Sequence, residues 1–460
     1  MPSRPTKPLD LAIVGHTNVG KTSLMRTLMR DVAFGAVAPT SATTRQVEGA
    51  RLLAQSRPVV ELYDTPGLED ASALIERLEE HGGDRHTGPE RIAAFIADAS
   101  DGFEQEARVL AQMLASDAAL YVIDAREPVL GKYQDELAIL ALCARPILPV
   151  LNFVASPRER SKDWREALAR VGLHAIAEFD TVIFSLESEA QLWRRLATLA
   201  EGWSESLENL IDERESQAAW QLQAARALIA ELLIDTAAAR RIAVRRDAES
   251  IQRVNRDLQK AIEQHERRFI EQMLELFHFR AEDYKTLALP IEHGRWNRAL
   301  FDPAVLGIYG RNTGSGLAVG AAAGAAVDVA SGGLSLGAGT LIGALTGGGA
   351  SALWQLRRDL AERLRGQISV MVDDAALSHL AARAQTLLNA LRQRGHAAQD
   401  PIELATSLPE PWPRRRLPEA LQKARLRPEI SSLNRGHRAD STSRDELARE
   451  IIKQLSPGDE

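Results

Sequence analysis

Cysteine is almost missing from this chain: Cys143, in the apolar run LALCARPILPV, is the single thiol among 460 residues. That excludes an internal disulfide framework and fits a reducing compartment, where a lone thiol reads as a small buried hydrophobe. A basic excess is missing too. The net charge of −7 weighs against broad, non-specific nucleic-acid binding and leaves only local basic patches for it. The amino-terminal stretch MPSRPTKPLDLAIVG has too short an apolar run for a signal peptide. The amino-terminal half is therefore expected to face the cytoplasm.

What is present is enough for several cores. At 460 residues, with 45% apolar and 26% charged side chains, two or three folded domains are expected. The first part alternates short β-branched runs (LDLAIVG, VEGARLLA, PVVELYD, AALYVIDA, PILPVLNF, FDTVIFS) with segments of helical period such as SLMRTLMRDV, FEQEARVLAQMLA and DWREALARVGL. That alternation predicts an α/β domain over 8–200, a mainly parallel sheet with helices on both faces. The polar, glycine-containing stretch from Leu68 to Asp101 does not fit a compact version and is expected to be a mobile insert with a helix or two. A helical domain is expected over 201–400. In it Ile251, Val254, Leu258, Ile262, Phe269, Met273 and Leu276 form one stripe of a long amphipathic helix, ready for neighbouring helices or for a partner. A Pro- and Arg-rich tail, 401–460, closes in a short helix, RDELAREIIKQL.

The stretch that carries chemistry is Gly15-His16-Thr17-Asn18-Val19-Gly20-Lys21-Thr22, followed by Ser23. It fits G-x-x-x-x-G-K-[ST] at a place where a strand should turn into a helix. Glycines let the backbone wrap closely, so that its N–H groups and the positive end of the next helix point at phosphate oxygens. Lys21 adds a full charge near the terminal phosphates, and the Thr22 hydroxyl suits Mg²⁺. Then comes VVELYDTPGLE. A strand ending in Asp64 puts a carboxylate beside that metal, and past Thr65 the side-chain-free N–H of Gly67 can approach a γ-phosphate. Between the two lies PTSATTRQVEG, a hydroxyl-rich switch. From it Thr44, with Thr43 the alternative, is expected to give the second Mg²⁺ hydroxyl. Taken singly, the loop could be a structural glycine turn and Asp-Thr-Pro-Gly an ordinary strand end. The pairing at this spacing favours nucleotide chemistry, with Lys21, Thr44 and Gly67 as the catalytic candidates.

GHTNVGKTS, TTR, DTPG and ALYVIDAREP resemble the switch GTPases of the Era and MnmE/TrmE type, a branch of the Ras-like translation-factor class, over Leu9 to about Ala200. The resemblance implies a Ras-like P-loop fold, GTP and GDP as ligands, and Mg²⁺ held by Thr22, Thr44 and Asp64. It also implies a K⁺ site at Asn18. Leu68 stands where Ras-like proteins carry a water-orienting glutamine. An aliphatic side chain cannot orient water, so slow hydrolysis is expected unless a cation, a partner or dimerisation supplies the missing charge stabilisation.

The guanine-specificity motif of that group, Asn-Lys-x-Asp, is incomplete here. In VLNFVAS, Asn152 is kept, Phe153 replaces the lysine and Ala155 the aspartate. A pocket that loses a buried acceptor loses selectivity by orders of magnitude. Phe153 could stack on the base, and Ser185, in FSLES, is the candidate for a substitute contact.

Charge is missing again between Arg311 and Arg357, apart from Asp328, and twelve glycines fall between Gly314 and Gly349, several of them four apart. Small residues at that spacing let helices approach closely. The segment 314–354 is open to three readings: a membrane-inserting or membrane-sensing hairpin, a close-packed soluble or oligomer-forming hairpin, and a flexible linker. The run 414–427, with Arg414, Arg415, Arg416, Lys423, Arg425 and Arg427, suits lipid headgroups, RNA phosphate or plain solvation. A GTPase domain joined to such a region resembles a bacterial GTPase family whose C-terminal half is classed as a domain of unknown function. Three functions follow as expectations. One is a slow GTP switch coupled to a helical, membrane-associating region at the cytoplasmic side of the inner membrane, with homodimerisation through the GTPase domain or the Gly-rich helices. The second is an RNA-linked GTPase of tRNA modification or ribosome assembly. The third is a non-hydrolysing nucleotide-binding scaffold.

Overall fold

The computed structural model describes residues 7–31, 48–80, 87–98, 102–279, 291–292, 295–296, 334–335, 366–396, 411–412, 417–437 and 441–455. Thr43, Thr44, Arg414–Arg416 and all of 314–354 except Leu334–Ser335 lie outside the described residues. The chain forms two units, one from Met1–Ala219 with Gln393–Asp400, the other from Trp220–Arg392 with Pro401–Glu460.

In the first unit six strands make one sheet: β1 (Leu9–Val14), β2 (Glu48–Ala54), β3 (Arg57–Asp64), β4 (Ala118–Asp124), β5 (Ile147–Asn152) and β6 (Ala177–Glu178). Their order is β2-β3-β1-β4-β5-β6. Only β2 runs antiparallel to its neighbour; the others are parallel. Alternation along β1 decides the two cores, because successive side chains of a strand point to opposite faces. Leu9, Leu11 and Ile13 join α1 (Lys21–Met29), and further along the chain α7 (Leu186–Leu199), in one core. Ala12 and Val14 join the other. There they meet α2 (Ala71–Glu80), α3 (Gly88–Asp98), α4 (Glu104–Ala115), α5 (Gly131–Leu142) and α6 (Ser161–Arg170). Every residue of β4 is buried, as a strand covered on both faces requires.

Two expectations are corrected here. The stretch expected as a mobile insert with a helix or two does carry two helices, α2 and α3, but they are packed, with Leu74, Leu78, Ile92 and Phe95 as core residues. Its polar look came from the outer faces of two amphipathic helices. The run FDTVIFS is not the sixth strand. That strand is the two-residue β6 just before it, and Ile183 instead pairs antiparallel with Arg394.

The second unit takes the rest of α8 (Ser204–Ala238), whose first turns carry Leu207, Leu210 and Ile211 into the first unit's core. It adds β7 (Arg240–Val244), α9 (Ala248–Leu276), β8 (Ile291–Glu292), β9 (Arg295–Trp296), β10 (Leu334–Ser335) and β11 (Gln367–Val372). Three helices follow: α10 (Asp374–Gln393), α11 (Glu419–Arg425) and α12 (Ser441–Leu455). β10, β11 and β7 make a small antiparallel sheet. The stretch ISVMV, inside the span 201–400 expected to be helical, is therefore a strand. On α9 the stripe through Leu258, Ile262, Phe269 and Met273 is buried. α10 is buried almost all round, including Arg383, which pairs with Glu266 at 3.0 Å.

Candidate phosphate-binding site

β1 ends at Val14 and the loop to α1 begins with Gly15, at the point where the strand order reverses between β1 and β4. Ligands in open α/β sheets bind at such a point, beyond the carboxyl ends of the strands. Gly15 has φ 142°, and a Cβ there would sit 2.5 Å from the Val122 carbonyl oxygen of β4. Only glycine brings the loop this close to the sheet. Asn18 (φ 65°) and Gly20 (φ 96°) complete the wrap, with the Asn18 side chain exposed and the Val19 side chain in the core.

Lys21, at the start of α1, is buried, and its Nζ donates to the carbonyls of Gly15 (3.0 Å) and His16 (2.8 Å). Burial pushes its ammonium down to about 8, against the pull of Asp64 and Glu136. A cation so held is short of negative charge, which an anion would supply. Beside it the Thr22 hydroxyl donates to Asp64 Oδ2 at 2.5 Å. A hydroxyl and a carboxylate, both hard oxygen donors already in contact, suit Mg²⁺. Ser23 is half-buried, and its carbonyl accepts from Thr27 within α1.

The turn after β3 packs on this loop. His16 and Leu68 form a parallel bridge. A Cβ on Gly67 would meet Thr17 Oγ1 at 2.3 Å and the Thr17 backbone nitrogen at 2.7 Å, so no side chain fits there. Thr17 Oγ1 is itself buried without a hydrogen-bond partner among the described residues, the kind of atom a ligand completes. Thr65 has another job: its hydroxyl donates to the Ile13 carbonyl at 2.7 Å and ties the turn to β1. Leu68 is packed in the core with Ala12, Val14 and Leu74.

Several residues that sequence patterns did not flag complete the site. His16 Nδ1 lies 2.6 Å from Glu136, and Lys132 Nζ lies 2.9 Å from Nε2. Lysine can only donate, so the neutral ring with its proton on Nδ1 satisfies both contacts. Glu136 is fully buried and also accepts from Tyr121. Gln105 Nε2 donates to the Gly67 carbonyl at 2.8 Å. A charged residue on a helix of unremarkable pattern gives no signal of this kind until the helix is packed.

On the other side of the loop, Asn152 is buried. Its amide donates to the Val19 carbonyl, and its oxygen accepts from the Phe153 and Thr181 N–H groups, all at 2.9–3.0 Å. Phe153 has φ 60°, and the Arg126 guanidinium lies 3.9 Å over its ring while gripping Asp124 with two nitrogens. Ser185 is exposed and caps α7, accepting from the Ser188 N–H; the backbone that reaches Asn152 is Thr181's. At the Ala155 gap the Asp180 carboxylate accepts the Ala155 N–H, together with those of Val182 and Ile183.

Comparison with known proteins separates the chain into two parts. Residues 10–153 match the family described as 50S ribosome-binding GTPase, and residues 165–453 match a domain of unknown function, DUF3482. The tRNA modification GTPase MnmE of Neisseria gonorrhoeae is 29% identical over 109 residues, 24% of this chain and 24% of that protein. MnmE of Magnetococcus marinus is 36% identical over 115 residues, 25% of this chain and 24% of that protein. MnmE of Chloroflexus aurantiacus is 31% identical over 147 residues, with coverages of 32% and 26%. The chain thus spans about a quarter of the length of these relatives. A crystal structure of Era in complex with MgGDPNP and nucleotides 1506–1542 of 16S ribosomal RNA is similar at 17% identity and TM-score 0.28, covering 38% of this chain and 52% of that one.

Proposed function

The chain belongs to the DUF3482 family and carries, ahead of that region, a P-loop GTPase domain of the Era/MnmE type, and from that premise we propose that it is a GTP switch that hydrolyses its nucleotide slowly with Mg²⁺. The observation that carries this reading is the buried Lys21 ammonium, pinned by two loop carbonyls beside the paired Thr22 hydroxyl and Asp64 carboxylate. Lys21 and the loop N–H groups would hold and orient the terminal phosphates. Thr22, Asp64 and, from outside the described residues, Thr44 would hold Mg²⁺, which when bound neutralises charge on the phosphates. The Gly67 N–H would register the γ-phosphate, with Gln105 fixing the same peptide turn. Leu68, committed to the core, leaves the attacking water unoriented, which supports a low basal rate. Exposed Asn18 stays the candidate for K⁺, and Phe153 with Arg126 the candidate base platform.

Loss of the γ-phosphate would release the turn at Gly67 and the switch at Thr44, with the helical region as the part that responds. Among the described residues no helix is long and apolar enough to cross a membrane; the expected membrane contacts are the 314–354 segment and the 414–427 run. A second reading, an RNA-linked GTPase, draws on the tRNA modification GTPases among the relatives. Part of the basic run expected to serve it is committed internally: Arg425 pairs with Asp374 and donates to the Val372 carbonyl, and Lys423 lies 3.1 Å from Glu419.

The test is binding and steady-state turnover of GTP against ATP with Mg²⁺, in KCl and in NaCl, with Lys21→Ala as the blank. Preference for GTP, slow turnover and acceleration by K⁺ support the switch. Equal competition by ATP, or no binding that depends on Lys21, removes the GTP reading.

A further inference from the structure

The chain returns to the first unit at Gln393, and there it touches the backbone that faces Asn152. The Phe184 N–H donates to the Gln393 carbonyl (2.8 Å), and the Gly395 N–H donates to the Val182 carbonyl (3.0 Å). Ile183 and Arg394 form the antiparallel bridge between them, and Arg394 is fully buried. Gly395 lies so close that an added Cβ would stand 2.0 Å from the Thr181 carbonyl oxygen and 2.7 Å from its carbon. These are backbone atoms, so no rotamer change can relieve the overlap.

Thr181 is the joint of this corner. Its N–H donates to Asn152 Oδ1 at 3.0 Å, and Asn152 Nδ2 holds the Val19 carbonyl of the phosphate loop. The Thr27 hydroxyl of α1 lies 3.5 Å from the Thr181 carbonyl. Asp180 gathers the next two N–H groups and that of Ala155. The loops after β5 and β6 and the segment 393–395 are therefore one hydrogen-bonded body. The Thr22 hydroxyl bonds to Asp64 instead, and Lys21 Nζ to the Gly15 and His16 carbonyls.

We propose that Gln393–Gly395 is a positioning segment for the nucleoside side of the site: it holds Thr181 against Asn152 and so sets affinity for the base more than for the phosphates, since the link through Asn152 ends on the Val19 carbonyl of the loop and not on Lys21. The proposal rests on the reading of the Gly15–Lys21 loop as a nucleotide site. It explains why the sixth apolar run does not extend the sheet: its backbone is paired with the returning chain.

The experiment compares GDP with inorganic tripolyphosphate, which offers phosphates and no nucleoside, on the full chain with Mg²⁺. In Gly395→Ala the Kd for GDP should rise about tenfold, the scale of one lost buried hydrogen bond, while the Kd for tripolyphosphate stays within about twofold. Gly202→Ala, where a Cβ meets nothing within 4 Å, should change neither. Binding is reciprocal, so in the unaltered protein GDP should slow hydrogen exchange in peptides covering 179–186 and 392–396, and tripolyphosphate should not. This second measurement does not depend on the variant folding. Equal losses for both ligands in Gly395→Ala, or exchange at 392–396 that GDP leaves unchanged, would overturn the proposal. Failure of the unaltered protein to bind either ligand would overturn the nucleotide reading, and this one with it.

Discussion

Leu68 shows how one side chain can decide a rate by where it is packed. It is fully buried among Ala12, Val14 and Leu74, so restoring a glutamine there would bury an amide with no arranged partner. Leu68→Gln is expected to lower stability by about 1–3 kcal/mol and to leave turnover no faster, as chemical denaturation and steady-state assays would show. Acceleration without destabilisation would mean that the position faces the phosphates. Cys143 illustrates the same logic for reactivity. It is buried, and burial pushes its thiol up to about 12. It should resist an aromatic disulfide reagent at pH 8 in the native chain and react once the chain is denatured. The burial of this thiol was legible in the sequence, because a lone cysteine in an apolar run has few other places to go.

At the scale of elements, the loop after β1 and the turn after β3 act as one piece, since Gly67 has no space for a side chain against Thr17. Gly67→Ala should weaken GTP binding by about tenfold or more and GDP binding less, because the turn must shift where the γ-phosphate is read. Equal affinities would separate Gly67 from γ-phosphate sensing. The loop, Asp64 and Gly67 could be found by pattern, because phosphate binding imposes a short, fixed spacing on one stretch of chain. Glu136, Gln105 and Asp180 could not. They reach the site from α5, α4 and the end of β6, and nothing local in those elements marks them. The packing of α2 and α3 into the core was missed for a related reason: a helix that buries only one stripe looks polar overall.

At the scale of the whole chain, the second unit is tied together by a buried acid far from any motif. Asp235 of α8 accepts from Ser432, through both its N–H and hydroxyl, and from Arg444 of α12; His265 of α9 lies at 3.2 Å, and Glu231 shares the arginine. Burial by itself would raise this carboxyl, but the hydrogen bonds from His265, Arg444 and Ser432 outweigh it and hold the carboxyl below its ordinary 3.8. A lowered carboxyl contributes stability that is present above its unfolded value and lost as pH falls through the folded one. The melting temperature of the chain should therefore fall below about pH 4, and Asp235→Asn should be less stable at neutral pH and flatter over that acid range. An acid limb unchanged in Asp235→Asn would assign acid sensitivity to other carboxylates. The sequence by itself determined the α/β class, the phosphate loop, the carboxylate that ends β3 and the broken base motif, because period and spacing are properties of neighbouring residues. Only tertiary structure decided that FDTVIFS pairs with a segment some two hundred residues away, that Leu68 belongs to the core, and that Asp235 finds Arg444. Each of those depends on which distant backbone and charges the fold brings within hydrogen-bonding distance, and no local pattern encodes that.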